Sequence, residues 1–353
     1  MPASSVHDRT LGVSLAPVAG KYVGHLPSDD RLHGFLGHII WARLGVRERR
    51  PSFRVFRLSG SNEVYAYEEK TSLARVICKF YGTHSGWDLD KAASAASYEY
   101  ECLKTLRAFD FVGSPHHVVR PLGIDRDLNC VLAIEYYSGE PFSHAIGRSV
   151  YHRDDAHLLW RLTALAYFLA TLHNRTANGA AVDFESDTRY MATVVATLQH
   201  DRRIGQWDVD ELSWLCDLWR GRPRMWQDQQ VWLHGDATPA NFLFGGGLDV
   251  GAVDLERMKR GDRMFDVGRV AGELQHAFMS ATGDRHRAEP FIGHFLWEYS
   301  CHFPDRQRTF DSIAPRLPFY MGINLLRIAR NDYISRNYGG RLIAQAKRLL
   351  RAA

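Results

Sequence analysis

The stretch VWLHGDATPANFLFGGGLDVGAVDLERMKRGDRMFDVGR, residues 231–269, decides how the chain reads. NFLF and VGAVDL are short apolar runs on either side of Gly245, Gly246 and Gly247, the composition of an antiparallel hairpin with a glycine turn. A turn centred on Gly247 and Leu248 sets Asn241 opposite Asp254, with Cβ atoms about 4.5–5.5 Å apart. An amide oxygen and a carboxylate then converge. Oxygen ligands of this kind, few enough to leave room for water and phosphate, suit magnesium bound together with a nucleotide. Asp236 enters the same edge of the hairpin from the preceding loop, where a carboxylate can accept the proton of an attacking hydroxyl. Asp and Asn beside strands are most often plain turn residues. Three of them converging by register as well as by type point to chemistry.

Towards the N-terminus, RLHGFLGHIIWARLGV (31–46) spaces Leu32, Leu36, Ile39, Ile40 and Leu44 as a packing helix. FRVFRLSG, EVYAYE, ARVICKFY, HHVVRPLGI and CVLAIEYY, between Phe53 and Tyr137, predict five strands. A helix from about Lys91 to Phe109, with Tyr98, Cys102, Leu103 and Leu106 on one face, falls after the third strand. Lys79 stands in an apolar strand between Cys78 and Phe80, so its ammonium needs an anionic partner. Glu99 on the following helix fits, with Glu101 as the fallback on a different helix face. After SGEP (138–141) the pattern is mostly helical, starting with the stripe Leu158, Leu162, Leu165, Leu169 and Leu172 that ends at His173.

HGDATPAN (234–241) followed by VDLE (253–256) resembles the aminoglycoside phosphotransferase and choline kinase family, whose members share the protein-kinase fold. The resemblance runs from about Arg57 to Arg269. It implies an α+β, two-lobed protein-kinase-like fold, with a small antiparallel-sheet lobe carrying one main helix and a larger, mostly helical lobe. The corresponding division is 1–50 as an extension with a packing helix, 51–140 as the phosphate-binding lobe, and 141–353 as the lobe with the catalytic loop, metal site and acceptor site. It further implies that Asp236 is the catalytic base, that Asn241 and Asp254 hold Mg2+, and that His234 is a structural member of the catalytic loop. Asp266 in GDRMFDVGR (261–269) would brace that loop through backbone amides, with Asp262 the lesser candidate. Gly235 stands where many protein kinases have Arg, which argues against control by a phosphorylated activation loop.

In the first lobe the resemblance implies that Lys79 grips the α- and β-phosphates of ATP and that Glu99, in SYEYECLKTL, positions it. RLSGSNEVYAY (57–67) is similar to the family's phosphate loop, with Ser59, Gly60, Ser61 and Asn62 offering N–H groups and hydroxyls to phosphate oxygens. LAIEYYSGE (132–140) resembles the hinge strand against which adenine lies, with Glu135, Tyr136 and Tyr137 as backbone contacts.

Composition narrows the function by exclusion. Of 353 residues, 44 are Lys or Arg and 40 Asp or Glu, a formal charge of +4 that does not single out nucleic acid as a partner. Five scattered cysteines without a CxxC pair argue against a disulfide framework or zinc site and suit a reducing cytoplasm. The 17 histidines include no HExxH. The opening MPASSVHDRTLGVSLAPVAG reads as no leader, and no apolar run is long enough to insert into a membrane.

The function expected from these residues is transfer of the γ-phosphate of MgATP to a hydroxyl of a small molecule. The segment between His173 and Trp232 would help build the acceptor site. A kinase acting on a glycan, a lipid-linked saccharide or a protein is the alternative, with a nucleotide-binding pseudokinase behind it. Arg327 and Arg330 lean towards an anionic acceptor. Nothing in the sequence selects an oligomeric state.

Overall fold

The computed structural model describes residue 18 and residues 20–58, 63–84 and 86–352. They form two compact units. One takes the chain up to Thr105 together with Val119–Ser138; the other takes Leu106–Val118 and everything from Gly139 on.

In chain order the first part runs β1 (Lys21–His25), α1 (Arg31–Leu44), β2 (Phe53–Arg57), β3 (Glu63–Glu69), β4 (Arg75–Phe80) and α2 (Leu89–Ala108). Two short strands of the second unit follow, β5 (Val112–Gly113) and β6 (His116–Val118), before the chain returns to the first unit as β7 (Pro121–Asp125) and β8 (Val131–Glu135). The first unit's sheet has the order β1-β2-β3-β4-β8-β7, antiparallel throughout.

Asp30 starts α1 by accepting from the Leu32 N–H at 2.8 Å, and Gly45 ends it in the left-handed region at φ 70°. The apolar face of this helix, Leu32, Leu36, Ile39 and Ile40, packs with Phe53, Tyr67, Val76, Cys78 and Val131 into one core. Each such fully buried side chain contributes about 1.5–3 kcal/mol. Val76 and Cys78 of β4 point into that core, so the two-residue period of a strand turns Lys79 to the opposite face.

Two sequence expectations change here. The unit has a sixth strand, β1, which the sequence pattern missed because four of its five residues are exposed and nothing in KYVGH alternates. HHVVRPLGI is not one strand. Its first half is β6, paired in parallel with a strand of the second unit, while its second half is β7 beside β8. On α2, Cys102, Leu103 and Leu106 are buried as expected, but Tyr98 is exposed.

The second unit continues with β9 (Glu140–Pro141), α3 (Phe142–His152), α4 (Asp155–Thr176), α5 (Phe184–His200), α6 (Gln206–Arg220), β10 (Val231–Leu233), β11 (Phe242–Phe244), β12 (Val250–Ala252), β13 (Lys259–Gly261), α7 (Met264–Thr282), α8 (Glu289–Ser300), α9 (Arg306–Ile313), α10 (Leu317–Ala329) and α11 (Arg336–Arg351). A sheet of order β5-β6-β12-β11-β9 and the pair β10-β13 lie among these helices. All five leucines of the α4 stripe are buried.

The close approach of α7 and α10 depends on small residues. A Cβ on Gly268 would lie 2.2 Å from the Tyr320 Cβ, and one on Gly272 would lie 2.7 Å from the Asn324 amide. Only glycine at both positions lets the two backbones come this near, and that approach brings Arg269 and Arg327 to one place. Among the described residues, no helix is long and apolar enough to cross a membrane.

Candidate active site

β10 pairs antiparallel with β13, Leu233 opposite Lys259, and the chain then turns through residues 234–241. Asp266, fully buried in the first turn of α7, accepts from the backbone N–H of His234 at 2.7 Å and of Gly235 at 3.0 Å. Burial alone would raise its pKa; the hydrogen bond and charge of His173 and the His234 N–H reverse this and hold the carboxyl below the usual range. His234 Nε2 lies 3.0 Å from the Val253 carbonyl, and Nδ1 accepts from the Asp236 N–H at 3.3 Å. Both bonds are made only by the tautomer with its proton on Nε2. Gly235 has φ 78°, and a Cβ there would lie 1.9 Å from the Arg257 carbonyl oxygen, so glycine is required on both counts.

Asp262 does not take part in this clamp. Its carboxylate accepts from the Met264 N–H at 2.9 Å and from the Tyr320 hydroxyl at 3.0 Å, and it pairs with Arg316.

The Asp236 carboxylate meets arginines. Arg269 Nη1 lies 2.5 Å and Arg327 Nη2 2.9 Å from Oδ1, and Arg257 Nε lies 4.0 Å from Oδ2. Burial pushes the Asp236 pKa up, but the charges of Arg269, Arg327 and Arg257 outweigh it and hold the carboxyl below the usual carboxylate range. Arg269 also donates to the Gly235 carbonyl at 2.9 Å and to the Tyr190 hydroxyl of α5 at 3.2 Å. Arg327 Nη1 donates to Glu273 at 3.2 Å, and burial lifts the pKa of Glu273 against the pull of Arg327. The sequence reading did not connect these arginines with Asp236. Arg269 could have been found: it sits three residues after Asp266, one turn along the same helix.

Asn241 donates through Nδ2 to the Asp236 carbonyl at 2.8 Å, which fixes its amide and turns Oδ1 the other way. The hairpin register differs from the expected one. Phe242 pairs with Ala252 and Phe244 with Val250, so the turn centres on Gly247 and Asn241 lies opposite Val253, not Asp254. The Val253 N–H donates to the Asn241 carbonyl at 3.0 Å, and Asp254 follows as the first residue past the ladder, in the left-handed region at φ 65°. A one-residue change of register would put Asp254 on the wrong face of a regular strand. The positive φ removes Asp254 from that alternation. Glu256, unnoticed in the sequence, has a carboxylate oxygen within 4.8 Å of one from Asp254.

In the first unit, Lys79 lies opposite Val64 and Leu132 in the sheet, and its Nζ is 2.5 Å from Oε2 of Glu99, a fully buried carboxylate. The Tyr81 hydroxyl donates to the same oxygen. Glu101 instead pairs with Lys104 at the surface, 2.9 Å away. Glu135 ends β8 and accepts from the Arg120 N–H at 2.7 Å, with Tyr136 and Tyr137 directly after it, half-buried, and the Arg75 guanidinium 5.1 Å from the Tyr136 ring centre. Ser59, Gly60, Ser61 and Asn62 lie outside the described residues.

A family model described as the phosphotransferase enzyme family matches residues 52–302, well over half of the chain. The chain belongs to this family. It is therefore an enzyme, a phosphotransferase, and the matched segment includes both Lys79 and the whole clamped loop. No curated protein matches the chain.

Solved structures share the protein-kinase-like α+β fold of this phosphotransferase. An ethanolamine kinase from Plasmodium vivax matches with 13% identity over 90% of this chain and 89% of its own, at a TM-score of 0.54. The choline kinase LicA from Streptococcus pneumoniae matches with 15% identity over 92% and 100%, at 0.52. The ADP-bound aminoglycoside phosphotransferase APH(2″)-Ib matches with 12% identity over 92% and 97%, at 0.51.

Proposed function

We propose that this phosphotransferase moves the γ-phosphate of MgATP to a hydroxyl of a small molecule, with Asp236 as the base. The observation that carries the reading is the loop clamped from both sides: Asp266 holds its backbone through two N–H groups, and Arg269 holds the Asp236 side chain. Such a loop presents a carboxylate in one fixed orientation. Arg269 and Arg327 both occupy Oδ1, so Oδ2 is the oxygen that receives the acceptor's hydroxyl. A carboxylate held below its usual pKa is a weak base. Phosphoryl transfer through a loose transition state asks it chiefly to orient the hydroxyl and take the proton late.

Asn241 and Asp254 are the residues that would hold magnesium, and Glu256 adds a third oxygen donor nearby. An anchored amide and two carboxylates are hard oxygen donors of the type this ion takes. Bound there, magnesium supplies positive charge against the phosphate oxygens. We assign Lys79, oriented by Glu99, to the α- and β-phosphates of ATP, the backbone at Glu135–Tyr137 to adenine, and Ser59–Asn62 to phosphate oxygens. The five unpaired cysteines support the cytoplasm as the place of action.

The test is a phosphorylation screen of a metabolite library with purified protein and MgATP. Label in a low-mass product, lost in Asp236→Asn, supports the proposal. Label found only in macromolecules of a cell extract favours the glycan, lipid-linked saccharide or protein acceptor. Nucleotide binding without turnover on any acceptor favours the pseudokinase.

A further inference from the structure

Two cations, Arg257 next to Asp236 and Lys259 next to the rings that support Arg269, make no hydrogen bond through their side chains among the described residues. Arg257, with a side chain 50% exposed, has its Nε 4.0 Å from Asp236 Oδ2 and 3.7 Å from Glu256 Oε1. Both separations are beyond hydrogen-bond length. Lys259, at the start of β13, holds its Nζ 4.1 Å from the centre of the Phe265 ring and 5.7 Å from that of Tyr190. The same two side chains support Arg269, whose guanidinium lies 4.9 Å from the Phe265 ring centre and 3.2 Å from the Tyr190 hydroxyl. Arg257 therefore stands beside the reacting carboxylate, and Lys259 lies over the two aromatic side chains that support Arg269.

Three neighbouring acids hold other partners at hydrogen-bond distance, although Glu256 lies 3.7 Å from Arg257 and the charge of Lys259 also acts on Asp187. Asp236 Oδ1 takes Arg269 and Arg327, Glu273 takes Arg327 and Asn324, and Asp187 takes the Tyr320 hydroxyl. Among the described residues, Arg257 and Lys259 thus keep side-chain N–H groups outside any hydrogen bond, and Arg257 stands beside Oδ2, the oxygen that Arg269 and Arg327 leave open. A guanidinium fork matches an oxyanion through paired N–H···O bonds, and an ammonium held over aromatic rings keeps its N–H groups for a ligand. An amine in this position would face like charges at short range.

We propose that Arg257 and Lys259 bind an oxyanion, carboxylate or phosphate, carried by the acceptor near the hydroxyl that Asp236 orients. The acceptor class is then hydroxylated acids or phosphate esters rather than amino alcohols or amino sugars. This rests on the assignment of Asp236 above. The Gly235 backbone, packed against the Arg257 carbonyl, keeps Arg257 in register with the catalytic loop.

The experiment measures binding to the full chain without nucleotide, by thermal shift and calorimetry, for three arms of probes. These are gluconate and glycerophosphate, the neutral glucitol and glycerol, and the amines glucosamine and ethanolamine. The expected result is stabilisation by an anionic probe alone, weakened at least about tenfold in Arg257→Gln and in Lys259→Gln, as loss of one charge-assisted hydrogen bond predicts. A response to gluconate only, or to glycerophosphate only, identifies which oxyanion fits. Binding of neutral or amine probes as tight as the anions, no binding by either anion, or anion binding unchanged in both variants overturns the proposal. MgATP stabilisation, measured alongside, separates the two readings. If it persists while anion binding fails, the phosphotransferase reading stands and the acceptor class falls. If it is absent from the native chain, the assignment of the nucleotide fails first.

Discussion

Arg269 donates through one nitrogen, Nη1, to both the backbone and the side chain of the loop at residues 234–241: to the Gly235 carbonyl at 2.9 Å and to Asp236 Oδ1 at 2.5 Å. Arg269 is itself 3% exposed, so the bond joins a buried cation to a nearly buried anion. The orientation of Asp236 is thus set from α7, the helix that also supplies Asp266. Loop backbone and the Asp236 side chain are both held from one helix.

Replacing the carboxylate by its amide isolates the charge. Asp236→Asn keeps an oxygen for the arginines but removes the anion, and turnover is expected to fall about 10²- to 10⁴-fold while nucleotide affinity changes little. The buried Arg269 guanidinium loses its counter-charge, while Arg327 keeps Glu273, so stability drops as well, by up to about 3–5 kcal/mol. Steady-state kinetics, nucleotide titration and a denaturant melt check the three parts. A comparable loss of nucleotide affinity would mean that Asp236 contacts the nucleotide or its metal instead of the acceptor.

The same arginines set the pH dependence. Asp236 and Asp266 both have pKa values below the ordinary carboxylate range. Their stabilisation is fully present above the unfolded-state pKa of about 3.9 and is lost as pH falls from there through the depressed folded values. The acid limb of kcat is accordingly expected below the ordinary carboxylate range. Arg327→Gln removes one of the charges that depress Asp236, so its acid limb moves to higher pH. A pH–rate profile that stays in place in Arg327→Gln contradicts this account.

Some of this arrangement could be read from sequence and some could not, for physical reasons. The α4 stripe and the α1 face were legible because helical spacing of leucines directly encodes burial. Lys79 and Glu99 were legible because an ammonium in an apolar strand requires an anion. The hairpin register differs by one residue from the one the sequence predicts because three consecutive glycines do not specify the centre of a turn, and because the left-handed φ of Asp254 breaks strand alternation. Arg327 was out of reach as a partner of Asp236. Its place depends on α7 meeting α10 at Gly268 and Gly272, a tertiary approach to which local periodicity is blind.

Gly235→Ala tests the tight packing of the loop. An L-residue at φ 78° costs about 1–2 kcal/mol, and the new Cβ would lie 1.9 Å from the Arg257 oxygen, so the backbone must shift. A displacement of about 1 Å at the reacting group costs on the order of 10²-fold in rate. The variant is expected to melt lower and lose turnover by that order. Native kinetics with a native melting temperature would refute the packing argument.

Asp254→Ala tests the metal assignment. If its carboxylate binds magnesium, nucleotide affinity should lose its dependence on the ion: titrations with and without a chelator differ for the native protein and converge for the variant. Persistence of the native magnesium response would move the assignment to Glu256, whose carboxylate lies within 4.8 Å of that of Asp254.

Lys79 requires two variants, because its structural and phosphate-binding roles are superimposed. Its Nζ lies 2.5 Å from a Glu99 carboxylate with no exposed surface. Lys79→Met keeps the apolar stem but deletes the charge beside a buried anion, a change that costs about 3–5 kcal/mol when a buried pair is broken. The single variant should therefore melt well below the native protein. Lys79→Met combined with Glu99→Gln removes both charges, and most of the melting temperature should return, since neutral groups of similar shape avoid the cost of an uncompensated charge. Nucleotide binding should not return with it. The stabilisation that MgATP gives scales with the logarithm of its concentration over Kd, and the cation proposed for its phosphates is still missing. The expected pattern is a recovered melt, a much smaller MgATP shift and turnover lower by at least about 10²-fold. A double variant that regains both its melting temperature and its MgATP response would reduce Lys79 to a purely structural partner of Glu99.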